Sequence, residues 1–339
     1  MKRRTFNKGL QASLLSLGLA PVQSMQATNY SLKTPVALNP GDKVGLIAPA
    51  GPVAAEKVVN AIANMQNLGL VPVYNDIALK KQGYFSASDQ ERLDDLHYMF
   101  ANKEIKGIWC LRGGYGCTRI LPHINYDLVR KNPKVLVGYS DITALHHAFY
   151  KEAGLKTYHG PVASSQIFSA FTADNLRQVF FSDQKEVEIL SHEQEDETYR
   201  QPALTLYSGQ AEGRLTGGNL TLLSAMAGTS FAPSYKNKIV FMEEIGEKPY
   251  RIDRMFTQLL QATDIKKARG IIFGLFHDCQ PKPEENSFTL METIQDFVEK
   301  VKIPAIYGFP IGHVPDMVTL PMDAIATLNA DHNSVVYKR

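Results

Sequence analysis

The stretch from Lys134 to His146 admits few local structures, and the rest of the chain can be read outward from it. Val135 to Val137 is a short apolar run of the kind that forms a buried strand, and Gly138 interrupts it. Asp141 and Thr143 then open a segment, Ile142 to Tyr150, in which Leu145, Ala148 and Phe149 fall at helical spacing. Strand, tight turn with Ser140 at its apex, then helix is the build of a nucleophile elbow. Such a turn pushes the serine hydroxyl out of the sheet and aims backbone N–H groups at a developing negative charge. The fifth position of the usual G-x-S-x-G pattern is Ile142 rather than glycine. On pattern alone, such a serine is more often a plain turn or N-cap residue.

Elements on either side repeat the theme. Val44 to Ala48 reads as a strand, closed by Pro49-Ala50-Gly51-Pro52, and Ala54 to Leu68 as a helix with Val58, Ile62, Met65 and Leu68 on one face. Leu70 to Tyr74 is a second strand. Ser88 to Met99 is a helix that opens on a capping box, Ser88 with Glu91. Ile105 to Leu111 is a third strand and Val135 to Val137 a fourth. This alternation predicts an α/β fold whose N-terminal domain, about residues 38–165, is built on a mainly parallel sheet. Ligands of such sheets sit beyond the carboxyl ends of the strands. Arg112-Gly113-Gly114-Tyr115-Gly116 and Gly138-Tyr139-Ser140 both occupy that position.

Residues 166–210 read as a linker region, with an acidic, solvated run from Ser191 to Glu197. From 211 to 339 a second, smaller unit follows. Lys238 to Met242 is a strand that delivers Glu243 and Glu244, and Tyr250 to Ala262 is a helix. Gly270 to Phe273 is a strand and Leu290 to Val301 a helix. Pro304 to Tyr307 is a strand that runs into Gly308-Phe309-Pro310-Ile311-Gly312-His313, and Ile325 to Leu328 and Val335 to Tyr337 are short strands.

Composition excludes several classes. The net charge is +2, so nothing suggests a nucleic-acid partner or a polybasic membrane patch. Lys2, Arg3, Arg4 and Lys8 lie in the first 27 residues with no acid among them, and without that segment the charge is 2 − 4 = −2. Arg3-Arg4-Thr5-Phe6-Asn7-Lys8 followed by the modest apolar stretch Leu10 to Ala20 reads as a twin-arginine export signal over residues 1–27. That stretch is too short to remain as a membrane span, so no stable membrane insertion is expected once the leader is removed, and the expected location is periplasmic. The three cysteines, Cys110, Cys117 and Cys279, are odd in number, lack zinc spacing and read as buried thiols. No metal motif and no nucleotide fingerprint occurs. Gly113-Gly114-Tyr115-Gly116 lacks both G-K-[ST] and G-x-G-x-x-G.

Hydrolysis by a serine needs a nucleophile, a base, an orienting acid and an oxyanion hole. Ser140 is the candidate nucleophile. His313 lies in a Gly- and Pro-rich loop after a strand, and Glu243 at a strand end. The chain order Ser, Glu, His matches one hydrolase class. Glu243 and Glu244 point to opposite faces of their strand, so only one can orient His313. His146 and His147 are helix neighbours that point apart, so a shared metal is not expected.

Gly45 to Pro52, Leu111 to Gly116, Gly138-Tyr139-Ser140-Asp141, Gly217-Gly218-Asn219-Leu220, Phe241-Met242-Glu243-Glu244, Tyr250 to Met255 and Gly308 to His313, in this order, resemble the LD-carboxypeptidase family of serine peptidases. That family includes murein tetrapeptide carboxypeptidases and microcin C self-immunity peptidases. The resemblance runs from about Leu38 to Asn329. It implies a Ser140–Glu243–His313 triad, with backbone N–H groups of Gly114 and Asp141 as the oxyanion hole, in a groove between the N-terminal α/β domain and a smaller C-terminal domain rich in β structure. It also implies no cofactor and no metal, a homodimer, and peptidoglycan stem peptides as partners, cleaved between an L-configured diamino acid centre and terminal D-alanine. A carboxypeptidase must meet a free carboxylate with a cation; Arg112, Arg251 and Arg254 are the nearest in sequence terms, and Arg112, beside the Gly113-Gly114 turn, is the best single candidate. Two other readings stay open: a microcin-type peptidase acting on acyl-nucleotides, for which Trp109 reads as too buried to stack a base, and a non-catalytic periplasmic binding protein.

Overall fold

The computed structural model describes residues 32–339, so the proposed twin-arginine leader lies outside the described residues. Fourteen strands are found among them. In chain order they are β1 (Lys43–Ile47), β2 (Val71–Val73), β3 (Ile105–Cys110), β4 (Val135–Gly138), β5 (Tyr158–His159), β6 (Glu186–Leu190) and β7 (Leu204–Tyr207). Then come β8 (Gln210–Asn219), β9 (Lys238–Ile245), β10 (Gly270–His277), β11 (Ala305–Tyr307), β12 (Leu320–Pro321), β13 (Ile325–Asn329) and β14 (Ser334–Lys338). They form a six-stranded sheet ordered β12-β5-β4-β3-β1-β2 and an eight-stranded sheet ordered β6-β14-β13-β8-β9-β10-β11-β7.

The first sheet is parallel except for β12 at its edge. Its central strands are apolar along their length because helices cover both faces, and β4 is buried at every residue. The helix Asp89–Ala101 begins at the capping box expected from Ser88 and Glu91: Ser88 Oγ accepts the Glu91 N–H at 3.3 Å, and Glu91 accepts the Ser88 N–H at 3.1 Å. The second sheet has a parallel centre, β8 to β11, and antiparallel flanks. Helices Pro249–Ala262 and Leu290–Val301 pack on its centre through Ile252, Phe256, Leu259, Ile294 and Phe297. Among the described residues no helix is long and apolar enough to cross a membrane.

The two halves are not joined by a linker, which corrects the reading of residues 166–210. That stretch holds the helix Ala170–Phe181 and strands β6 and β7, which form the two edges of the second sheet. β6 alternates exposed and buried residues, sending Val187 and Ile189 into the core, but its only partner is β14, near the far end of the chain. The acidic run is not free either. Gln194 is buried, its amide donates to the Asp316 carbonyl at 2.8 Å, and its carbonyl accepts the Asp316 N–H at 3.0 Å. β12 carries the chain from the second half back into the first sheet, and one core cluster takes Trp109 and Val137 from the first sheet together with Phe241, Ile272 and Ile306 from the second.

Candidate active site

Ser140 stands at the end of β4, where the strand turns through a short 3₁₀ segment into the helix Thr143–Ala148. Its φ of 62° is left-handed, a conformation that costs a non-glycine residue about 1–3 kcal/mol and persists only where the surroundings impose it. Those surroundings are identifiable. His146, one turn into the helix, donates from Nε2 to the Gly138 carbonyl at 2.9 Å and accepts from Thr157 Oγ1 on Nδ1 at 2.9 Å. Burial lowers its pKa to about 4, so the ring is a neutral strut. His147 instead reaches the Gly217 carbonyl of β8 at 3.0 Å, and burial, with His146 nearby, lowers its pKa to about 3. The two histidines point apart, each serving a different element.

The glycine-rich turn after β3 lies against this elbow. A Cβ on Gly113 would stand 2.9 Å from Ser140 Cβ, 3.1 Å from Ser140 Oγ and 3.2 Å from the Asp141 nitrogen, so only glycine permits the approach. Gly114, next along, has φ 105° and is exposed. The turn is tied to the loop after β1, where the Gly51 N–H donates to the Gly113 carbonyl at 3.0 Å. Arg112 donates to the Pro52 carbonyl at 3.0 Å and keeps the rest of its guanidinium in solvent.

The acid and the base come from the other half. Glu243, fully buried on β9, accepts from His313 Nδ1 at 2.8 Å. Its other oxygen, Oε1, is buried and without a partner. Gly312 (φ 121°) lets the His313 loop come this close, since a Cβ there would stand 3.0 Å from both Glu243 Cβ and Oε2. The His313 ring packs edge-on against Tyr139, centroids 4.7 Å apart, which sets the imidazole beside the residue that precedes Ser140. Burial disfavours the His313 cation, but the charge and hydrogen bond of Glu243, with Glu244 adding, outweigh it and raise the pKa above the ordinary histidine value. Glu244 faces the opposite way, as strand geometry requires. It accepts from the N–H groups of Thr221 at 2.8 Å and Ile245 at 2.9 Å and from Asn219 Nδ2 at 3.1 Å, so it secures the turn from β8 into the next helix.

Two family models match the chain: an LD-carboxypeptidase N-terminal domain over residues 44–160, and an LD-carboxypeptidase C-terminal domain over residues 212–328. The chain belongs to the LD-carboxypeptidase family. It is 39% identical over 306 residues to a "Probable murein peptide carboxypeptidase" of Bacillus subtilis (strain 168), covering 89% of this chain and 93% of the relative. It is 32% identical over 293 residues to the "Murein tetrapeptide carboxypeptidase" of Pseudomonas aeruginosa, covering 85% and 94%. The solved structure of an MccF-like protein from Bacillus anthracis str. Ames superposes with a TM-score of 0.80 at 30% identity, over 90% of this chain and 99% of that one.

In this LD-carboxypeptidase family member some further contacts carry no signal in the sequence and others match it. Tyr199, from the acidic stretch, stacks on His277 of β10 with centroids 4.4 Å apart. Burial, with the Glu243 charge nearby, pushes the Tyr139 phenol upward. The Asp141 side chain, buried beneath the elbow, accepts the Cys117 N–H at 2.8 Å. All three cysteines are free and buried, and burial pushes the Cys279 thiol up to about 12. Among the described residues no group of three or more His, Cys, Asp or Glu side chains could hold a metal ion. Trp109 is buried and donates from Nε1 to the Pro161 carbonyl at 2.8 Å, so it is not available to a ligand.

Proposed function

We propose that the protein is a serine-type LD-carboxypeptidase that removes terminal D-alanine from peptidoglycan tetrapeptides by hydrolysing its amide bond to an L-configured diamino acid centre. The observation that carries this reading is a strained serine at an elbow whose preceding residue, Tyr139, packs on a Glu243-anchored His313, inside a chain similar to a murein tetrapeptide carboxypeptidase. Ser140 would attack the scissile carbonyl. His313, whose Nδ1–H is held by Glu243, presents Nε2 as an acceptor, takes the serine proton and returns it to the departing D-alanine amine. The amides of Gly114 and Asp141 would hold the oxyanion, and Arg112, exposed beside that turn, would meet the substrate carboxylate.

The leader pattern supports an exported enzyme working in the periplasm, and the family resemblance supports a homodimer. Arg3→Lys with Arg4→Lys should strand the precursor in the cytoplasm, and normal periplasmic fractionation would exclude that export route. The microcin-type alternative has the MccF-like likeness as its support. A non-catalytic binding protein would have no need of a strained serine or of a buried glutamate anchoring a sequence-distant histidine.

The chemistry is tested with a serine-directed fluorophosphonate followed by peptide mapping. The expected result is a single adduct on Ser140, with turnover unaffected by EDTA. Failure of Ser140 to label, or activity lost to EDTA and restored by zinc, would remove the serine mechanism.

A further inference from the structure

The backbone of Asp141 is one oxyanion donor in the mechanism above, and its carboxylate is not used by that mechanism. A buried carboxylate needs a reason, because its charge is costly away from water unless hydrogen bonds offset it. Asp141 is 1% exposed. Its Oδ2 accepts the Cys117 N–H at 2.8 Å, and the Gly116 amide and the Cys117 thiol also face it. Burial nevertheless raises its pKa above the ordinary carboxylate value. Cys117 follows Gly114 by three positions, so Asp141 carries one oxyanion amide on its backbone and grips, with its side chain, the turn that carries the other.

A second grip lies on the same turn. Arg92 is the largest buried cation in the first half, with its side chain wholly out of solvent. It donates from one nitrogen to the Gly116 carbonyl at 3.1 Å and to the Pro49 carbonyl, and from another to Asp89 at 2.5 Å. Asp89 is in turn held by Arg119 at 2.7 Å. The turn is therefore fixed at three points: at Gly113 by Gly51, at Gly116 by Arg92 and at Cys117 by Asp141. Only the last of these ties it to the elbow itself.

We infer that the Asp141 carboxylate is a positioning residue for the oxyanion hole: by accepting the Cys117 amide it holds the Gly114 amide in register with the Asp141 amide across the Ser140 hydroxyl. This rests on the serine-peptidase reading of the site. Two amides can stabilise one oxyanion only if both aim at the same point, and misplacement by about 1 Å costs about 10²-fold in rate. The grip requires an acceptor at the end of a two-atom side chain and does not require the negative charge. Asparagine keeps such an acceptor, alanine has none, and threonine keeps bulk while its oxygen stops a bond short.

The test compares wild type, Asp141→Ala, Asp141→Asn and Asp141→Thr in two assays: turnover of muropeptide tetrapeptide, and the rate at which fluorophosphonate labels Ser140. The second assay depends on nucleophile and oxyanion hole but not on LD specificity, so it separates failure of the clamp from failure of the substrate assignment. Asp141→Ala should lower kcat and the labelling rate by about 10²-fold, leave KM within about twofold, and leave the acid limb of the pH profile in place, because His313 and Glu243 are untouched. Asp141→Asn should recover at least about tenfold of that loss. Should Asp141→Ala fail to fold, Asp141→Thr is expected to show the same deficit relative to Asp141→Asn. Equal losses in the alanine (or threonine) and asparagine variants, wild-type rates in the alanine variant, or a loss carried by KM alone would overturn the inference.

Discussion

The two halves of the site solve the same problem by different physics. The elbow around Ser140 is a matter of geometry: it combines a left-handed serine, a neutral histidine strut on the Gly138 carbonyl and, from 27 positions upstream, a glycine turn that leaves no room for a Cβ. The Glu243–His313 pair is a matter of electrostatics. Its members lie 70 residues apart, joined by one 2.8 Å hydrogen bond, with the second carboxylate oxygen buried and unpartnered. The first region should tolerate loss of charge but not of shape, and the second should tolerate small changes of shape but not of charge.

The largest effects test that division at its centre. Ser140→Ala and His313→Ala should each remove at least ~10³ of kcat while leaving the fold intact, since members of such a unit fail together. Steady-state kinetics with thermal melts on the same samples check this. Survival of substantial activity in either variant would place the chemistry elsewhere.

The two neighbouring glutamates sharpen the contrast. Glu243→Ala should cost at least ~10² in kcat, whereas Glu244→Ala should stay within about tenfold of wild type. Glu244 instead holds three hydrogen bonds at the β8 turn, so its loss should lower unfolding free energy by about 1–3 kcal/mol. Chemical denaturation measures the second effect, and a reversed order of activities would reverse the assignment of the two residues.

The pH profile separates charge from shape. A base must be neutral to act, and the His313 pKa is raised, so kcat/KM should rise with pH through a midpoint above the ordinary histidine value. Glu243→Gln keeps the shape and removes the charge, and should move that midpoint downward. The linked stability has a matching sign. A histidine whose folded pKa is raised contributes stability that is fully present below its unfolded pKa and lost as pH rises through the folded one. An unmoved midpoint in the glutamine variant would deny Glu243 its electrostatic role.

A smaller effect belongs to the elbow. Ser140→Gly relieves the left-handed strain and should raise stability by about 1 kcal/mol while abolishing turnover, a trade of stability for function read in a single melt. Equal or lower stability would mean that the turn is not strained.

What the sequence made legible follows the same division. The elbow, the Ser88–Glu91 capping box and the parallel core strands were readable because their determinants sit within a few residues of one another. β6 and β7 were not, because their partners lie far along the chain and their acidic surroundings resemble a solvated loop. Strand alternation in Phe241-Met242-Glu243-Glu244 separates the two acids without choosing between them; the family resemblance points to Glu243, and the tertiary structure pairs that residue with His313. The Asp141 carboxylate, whose acceptor role depends on an amide 24 positions away, had no local signature. Tyr199 stacks on His277 equally unannounced, from a segment with the composition of a linker.

The most direct measurement incubates the purified protein with three muropeptides in parallel, a tetrapeptide, its C-terminally amidated analogue and a pentapeptide ending in D-alanyl-D-alanine, and follows the products by mass spectrometry. The expected result is loss of one alanine from the tetrapeptide, with the amidated and pentapeptide forms poor substrates. Arg112→Ala should lower kcat/KM on the tetrapeptide by about tenfold while changing the amide little. Equal rates on tetrapeptide and amide, or a preference for the pentapeptide, would contradict a carboxylate-anchored LD-carboxypeptidase.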